Sequence, residues 1–429
     1  MQWPDGFSPP LRRVDEMNEL SDILVVENST SIANTISHVL KKKSLKITSL
    51  NNNKKVIKFL DTNKPALVII DVTPGLDGIS LCKLIKSQKA LEKTRIIMLL
   101  SKPFEADQEK AYEAGVEAFI IKNTSLEAIG DQIIKLLMKK IAVKFWGTRG
   151  SIPTPGPRTV KYGGNTPCVS VTFAEDKRII LDAGSGIREL GNHLIKTQKK
   201  IMSHIFLTHF HWDHIQGLPF FAPAFSADNR FSIYGCENQK TKLSKVLSDQ
   251  MESSYFPVPL KKLRAIIAFK TLTEGSYSIE GLTVKALYLN HPGNTLGYLI
   301  THRNKTIGYL TDNEFTSGSI KKPKTNLTSC NDHNLKIIHA IQGSDLVIFD
   351  AQYTPEEYHN KKGWGHSHYK NVLNVAMAAE IKKCVLFHHD PSHTDADLDK
   401  IGIQCLEIIK RQGGSMDCIV AQEGLEIEL

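Results

Sequence analysis
The chain has 429 residues, 41% hydrophobic and 23% charged, a balance that builds packed cores for more than one domain and excludes wholesale disorder. No apolar run approaches the roughly 18–20 residues of a membrane-spanning helix, and seven scattered cysteines without a CxxC pair fit a reduced, cytoplasmic protein rather than a disulfide frame. The net charge of +9 is spread over both halves, which tolerates an anionic substrate but does not mark a nucleic-acid protein.

Residues 1–20 read as a tail; Pro, Asp and Glu stand where a secretory signal would be apolar. From residue 21 to residue 139 short apolar runs alternate with helix-period segments. The runs are Ile23–Val26, Ala66–Ile70, Ile96–Leu100 and Ala118–Ile121, with a weaker one at Leu45–Leu50. Runs of four or five Ile, Val and Leu between polar flanks suit parallel strands buried on both faces. Ile32, Ile36, Val39 and Leu40 share one helical face, as do Ile129, Ile133, Leu136 and Leu137. The spacing predicts a doubly wound five-stranded α/β domain. Glu27 and Asn28 follow its first strand, Asp71 its third and Lys122 its fifth, so they converge at the carboxyl edge, where open parallel sheets bind ligands.

Over residues 21–139 the chain resembles a response-regulator receiver domain, carried by DILVVENS, LVIIDVTPGLDG and AFIIKNTS. The resemblance implies that Asp71 is a phosphoacceptor served by a histidine kinase, with Glu27 and Asn28 as its acidic pair and Lys122 as its lysine. Asn28 in place of an acid takes one charge from the implied Mg²⁺ site. The loop from Asp71 to Pro74 is one residue short, Leu100 stands where a hydroxyl is expected beside Ser101, and Asn123 replaces a proline. These departures fit equally a degenerate receiver used for docking or for homodimer formation.

Residues 141–429 follow without a Gly/Ser linker, so the two domains are expected to touch. Strand-like runs appear at Ala142–Trp146, Val169–Phe173, Ile179–Leu181, Ile205–Leu207, Leu282–Leu289, Gly297–Thr301, Thr306–Leu310, Leu346–Phe349 and Cys384–Phe387, with helices at Tyr369–Glu380 and Asp395–Arg411. Packed sheets with outer helices are expected. Fifteen of sixteen histidines lie here. His209, His211, Asp213 and His214 fall within six residues after an apolar strand, a donor set that suits Zn²⁺ or, alternatively, Mn²⁺ or Fe. His291, Asp312 and the pair His388-His389 each follow another apolar run, at one edge of a sheet.

This half resembles the metallo-β-lactamase fold, an αββα sandwich, and within it the ribonuclease Z-like phosphodiesterases. Besides HFHWDH at 209–214, the likeness rests on GTRGSIPTPGP, YGGNTPCVSV, LDAGSGIREL and GWGHSHYKN. It implies two divalent ions: His209, His211 and His291 on one, Asp213, His214 and His388 on the other, and Asp312 bridging, with His389 the alternative to His388. A bridging hydroxide would attack phosphorus while His366 protonates the leaving alkoxide; His368 stands where the family has threonine. Asp350 would orient an imidazole or cap the next segment. The long tRNA-binding arm of that family is absent from its expected place, where only THRNK separates two strands. A small or cyclic phosphodiester is therefore the expected substrate, with nucleic acid disfavoured. A thioester or lactone hydrolase on the same fold, and a non-catalytic adaptor with a structural metal, are the rival readings.

Overall fold
The computed structural model describes residues 22–27, 32, 34–35, 46–72, 77–91, 94–101, 110–122, 125, 128–130, 132–133, 141–173, 177–237, 242–316 and 332–429. The chain forms two compact units that part between Met138 and Lys139. Among the described residues no helix is long and apolar enough to cross a membrane.

The first unit is a five-stranded parallel sheet: β1 (Asp22–Val26), β2 (Lys46–Leu50), β3 (Leu67–Asp71), β4 (Arg95–Leu100) and β5 (Ala118–Ile121), ordered β2-β1-β3-β4-β5. β3 is buried along its whole length, as a strand covered on both faces must be. Helices Asn53–Leu60 and Gly78–Ser87 begin at Asn52 and Asp77, whose side chains accept from the Lys55 and Ser80 amides and so satisfy free helix N–H groups. The strand order reverses between β1 and β3, and this switch point brings Glu27 and Asp71 to one edge. Lys122 pairs there with Asp71, while Glu27 accepts from the Ile32 amide at 3.0 Å and from Ser49 Oγ at 3.1 Å. Ile129 and Ile133 are buried, as their spacing predicts. Asn28, Ile36, Val39, Leu40, Pro74, Asn123, Leu136 and Leu137 lie outside the described residues.

The second unit stacks two seven-stranded sheets. The strands are β6 (Ala142–Gly147), β7 (Cys168–Thr172), β8 (Arg178–Leu181), β9 (Met202–Phe206), β10 (Arg230–Gly235), β11 (Ile266–Thr271) and β12 (Gly275–Ile279). They continue with β13 (Leu282–Tyr288), β14 (Leu296–His302), β15 (Lys305–Leu310), β16 (Leu346–Asp350), β17 (Lys383–Phe387), β18 (Asp417–Val420) and β19 (Glu426–Glu428). The sheet orders are β11-β10-β9-β8-β7-β6-β19 and β12-β13-β14-β15-β16-β17-β18. Between them lies one core in which Phe145 meets Phe387 and Phe206 meets Tyr298 edge-on at 5.2 Å. Each such fully buried aromatic contributes about 1.5–3 kcal/mol by leaving water. Helix Ile187–Thr197 covers the outer face of the first sheet through Ile187, Leu190 and Leu194. Helices Tyr369–Ala378 and Asp395–Arg411 cover the second. The αββα order is thus formed, including β10, β11, β12, β18 and β19, which the apolar runs alone do not announce.

The sheets place chemistry at their carboxyl ends. Asp182 follows β8, His209 lies just beyond β9, Asp312 beyond β15, and His388 follows β17. Three of these non-glycine residues sit at positive φ: Asp182 at 61°, Asp312 at 55° and His388 at 59°. Left-handed backbone at such residues costs about 1–3 kcal/mol each and is retained where it aims a functional side chain.

Candidate metal centre
The segment from His209 to His214 leaves β9 as extended chain and enters a single helical turn, Trp212–Ile215. His211 is its N-cap in extended conformation, so His209 and His211 precede the turn while Asp213 and His214 lie within it. The turn allows all of them to face one point, where residues distant in sequence join them. His209, His211, His291 and Asp312 form one donor group, and Asp213, His214 and His388 a second; Asp312, His366 and His388 form a third that overlaps both.

The spacings fit donors that could hold metal. Asp312 Oδ1 lies 3.7 Å from both His209 Nε2 and His291 Nε2. Its other oxygen, Oδ2, lies 3.1 Å from His214 Nε2 and 3.4 Å from His388 Nε2. His291 Nε2 is 3.1 Å from His211 Nδ1, and His388 Nε2 is 3.2 Å from Asp213 Oδ2. Tetrahedral ligands at about 2.0–2.1 Å from zinc stand about 3.3–3.4 Å from one another, within the observed spread. His209 Nε2 is buried and has no hydrogen-bond partner. An orphaned imidazole nitrogen among imidazoles and carboxylates is costly unless a cation takes its lone pair. The donor set therefore fits divalent metal.

Three of the imidazoles are held by their other nitrogen. His214 Nδ1 faces Asp182 Oδ2 at 2.8 Å, His388 Nδ1 faces Gln352 Oε1 at 3.0 Å, and His291 Nδ1 faces the Gly365 carbonyl at 3.0 Å. With an acceptor at Nδ1, each ring turns a bare Nε2 to the cluster. Asp182 also accepts from the Thr208 amide and hydroxyl and from the Tyr309 hydroxyl. The Ser151 amide donates to Asp213 Oδ2 at 2.7 Å.

Two motif glycines make room for these rings. A Cβ on Gly150 would stand 2.4 Å from His388 Nδ1, and one on Gly365, at φ +86°, 2.2 Å from His291 Nδ1. Arg149, fully buried, ties the loop of Gly150 to the carbonyls of Gly163 and His393.

His366 lies beside the cluster, stacked on His388 at 5.1 Å. Its Nδ1 is 2.7 Å from Asp350 Oδ2. Burial works against a charged ring, but the Asp350 carboxylate outweighs it and raises His366 to about 9. Asp350 also accepts the Gln352 amide at 3.0 Å, so it both orients an imidazole and caps the following segment. Burial likewise opposes ionisation of Asp213 and Asp312, yet the surrounding imidazoles hold both carboxyls well below the usual range. A cleft of about 460 Å³ opens on this cluster, lined by Ser151, Phe210, Trp212, Asp213, His366 and His388 among others.

His389 is turned away, its Nε2 on the Ala421 carbonyl at 2.8 Å, which leaves the cluster to His388. His368 stands apart as well, against Tyr358 at 5.0 Å. Asp182, Gln352, Ser151 and Glu314 are absent from the sequence-derived set. Asp182 carried the same signal as Asp312, a carboxylate ending an apolar strand; Ser151 lies within GTRGSIPTPGP but acts through its backbone amide, and Gln352 carried no signal. Glu314 is buried and accepts from the Tyr358 hydroxyl and the amides of Gly363 and Gly365, which fixes the loop that supplies His366.

Comparison with known proteins separates along the same division. Residues 177–389 match the Beta-lactamase superfamily domain, and residues 23–134 the Response regulator receiver domain. Ribonuclease Z of Thermoplasma acidophilum is 22% identical over 296 residues, covering 61% of this chain and 90% of that protein. Ribonuclease Z of Staphylococcus carnosus is 24% identical over 298 residues, covering 60% and 92%. The transcriptional regulatory protein ResD of Bacillus subtilis is 32% identical over 127 residues; the match covers 29% of this chain and 51% of that regulator.

Proposed function
The chain joins a response regulator receiver domain to a metal-dependent hydrolase domain of the β-lactamase superfamily, and from that premise we propose that its C-terminal unit is a dinuclear phosphodiesterase acting on a small or cyclic phosphodiester. The observation that carries this reading is Asp312, whose two oxygens face two different imidazole sets. His209, His211 and His291 would hold one ion, and Asp213, His214 and His388 the other, with Asp312 between them. The imidazole and carboxylate donors suit zinc first, and Mn²⁺ or Fe next. When bound, such ions activate a water and offset charge on phosphoryl oxygens.

The protein's own groups do the rest. Asp182, Gln352 and the Gly365 carbonyl hold the His214, His388 and His291 imidazoles in one tautomer. Asp350 engages His366 Nδ1, so Nε2 is the nitrogen that serves the cleft. Protonated there and stabilised by Asp350, His366 gives its proton to the departing alkoxide oxygen, a role commonly worth 10²–10⁴-fold in rate. Trp212, 82% exposed, offers a flat apolar wall at the mouth.

An RNA phosphodiester is the second reading, favoured by the relatives named ribonuclease Z. Against it, β14 and β15 are joined by Arg303 and Asn304 alone, so no arm extends from that hairpin. The N-terminal unit we read as regulatory, with Asp71 and Lys122 as the phosphoacceptor site for a histidine kinase in the cytoplasm. Assaying the metal-loaded chain on linear dinucleotides, cyclic nucleotides and precursor tRNA decides between the readings. Turnover of the small esters alone supports the proposal; turnover of tRNA alone replaces it with the second reading.

A further inference from the structure
A group of thiols lies on the second sheet, outside the metal centre. Cys384 on β17 and Cys418 on β18 are register partners in the parallel ladder. Cys405 belongs to helix Asp395–Arg411, which packs over that face. Cys384 and Cys405 are fully buried, whereas Cys418 is half-buried on β18, the outermost strand of its sheet. All three are free thiols, and that of Cys418 interacts with both others. These contacts hold Cys418 below the usual thiol range although burial opposes it, and the same contacts push Cys384 and Cys405 upward. A half-buried thiol of lowered pKa beside a second thiol is the arrangement of oxidation-sensitive cysteines, whereas thiols fully buried among apolar groups are inert.

The ladder also selects the partner. Neighbouring strands stand about 4.8 Å apart, and side chains of register partners leave the sheet side by side. A disulfide draws its Cβ atoms to about 3.8 Å, so bridging Cys384 to Cys418 would strain the ladder. Cys405 comes from a helix and has no ladder to distort.

We propose that Cys418 is a peroxide-oxidised site resolved by Cys405. The Cys418 sulfur attacks one oxygen of hydrogen peroxide; the O–O bond breaks, the other oxygen leaves as water, and Cys418 becomes a sulfenic acid. The Cys405 sulfur then attacks the Cys418 sulfur and displaces its hydroxyl, which leaves with the Cys405 proton as a second water. One peroxide is reduced by two electrons, and two thiols become one disulfide joining β18 to the final helix.

Trypsin separates the three cysteines into peptides 384–400, 401–410 and one beginning at Gln412 or Arg411, so the experiment can be read on the full-length chain. Reduced protein is exposed to hydrogen peroxide, alkylated with iodoacetamide, digested and analysed by mass spectrometry. The expected result is a linked pair containing Cys405 and Cys418, with alkylation of Cys418 lowered about tenfold or more and restored by dithiothreitol. In Cys405→Ser the Cys418 sulfenic acid should persist and be trapped by dimedone. Cys418 that remains alkylatable after peroxide, or a linkage seen only after the chain is unfolded, overturns the proposal. So does a linkage to Cys384 in place of Cys405.

Discussion
Replacing Asp182 by Asn isolates the contribution of a group that touches no substrate. Its two oxygens receive the Thr208 amide at 2.8 Å, the Thr208 hydroxyl at 3.0 Å, the Tyr309 hydroxyl at 2.9 Å and His214 Nδ1 at 2.8 Å. Burial and Asp182 keep the Tyr309 phenol protonated, so it remains a donor in the folded chain. An amide offers only one acceptor oxygen. With its nitrogen toward Thr208 it confronts a backbone N–H, leaving buried donors unpaired at about 1–3 kcal/mol. With its nitrogen toward His214 it makes Nδ1 the acceptor and puts the ring proton on Nε2, the atom that faces Asp312. The second orientation removes a metal donor outright. Changes in such supporting partners cost 10–100-fold in metal affinity, or about 1.4–2.7 kcal/mol. Competitive metal titration with a chromophoric chelator should show weakening by that factor in Asp182→Asn, with a lowered melting temperature. Affinity equal to wild type at both ions would refute the claim that Asp182 sets the His214 tautomer.

Other substitutions probe separate parts of the site. His366→Ala should retain bound metal and lose about 10²–10⁴-fold in kcat on a phosphodiester with a poor leaving group, and much less on a p-nitrophenyl ester that needs no proton; equal loss on both would remove the proton-donor role. In Gly150→Ala the new methyl meets His388 Nδ1, so metal content should fall selectively at the Asp213, His214 and His388 set, as elemental analysis would show. Glu314→Gln should cost about 1–3 kcal/mol in stability because one oxygen can no longer accept an amide. It should also raise protease sensitivity near Gly363–Gly365, and an unchanged digestion pattern would argue against Glu314 as the anchor of that loop.

Much of this was legible in the chain because the signals were local. Four- and five-residue apolar runs located the buried parallel strands, and a carboxylate or imidazole directly after a run located the edge where ligands gather. His209, His211, Asp213 and His214 could be grouped from their spacing, whereas bringing His291, Asp312 and His388 to them required the fold. β12 escaped notice because GSYSI carries too little apolar character to stand out, whereas β11 holds the apolar run IIAF yet has no fully buried residue at the edge of its sheet. The Pro-rich run from Pro219 to Phe225 packs Phe221 and Ala224 into the core beneath helix Ile187–Thr197, a placement that no periodicity in the run announces. Side chains such as Gln352, which acts through a single hydrogen bond to His388, have no periodicity to betray them.

On the proposed reading, two imidazole and carboxylate sets around Asp312 form a hydrolytic dinuclear centre. Elemental analysis of the purified chain beside hydrolysis of bis-p-nitrophenyl phosphate, with Asp213→Ala as the comparison, tests it most directly. Two divalent ions per chain are expected, with turnover that a chelator removes and loss of both one ion and the turnover in Asp213→Ala. A metal-loaded chain that cleaves thioesters or lactones but no phosphodiester, or one whose turnover survives in Asp213→Ala, would contradict it.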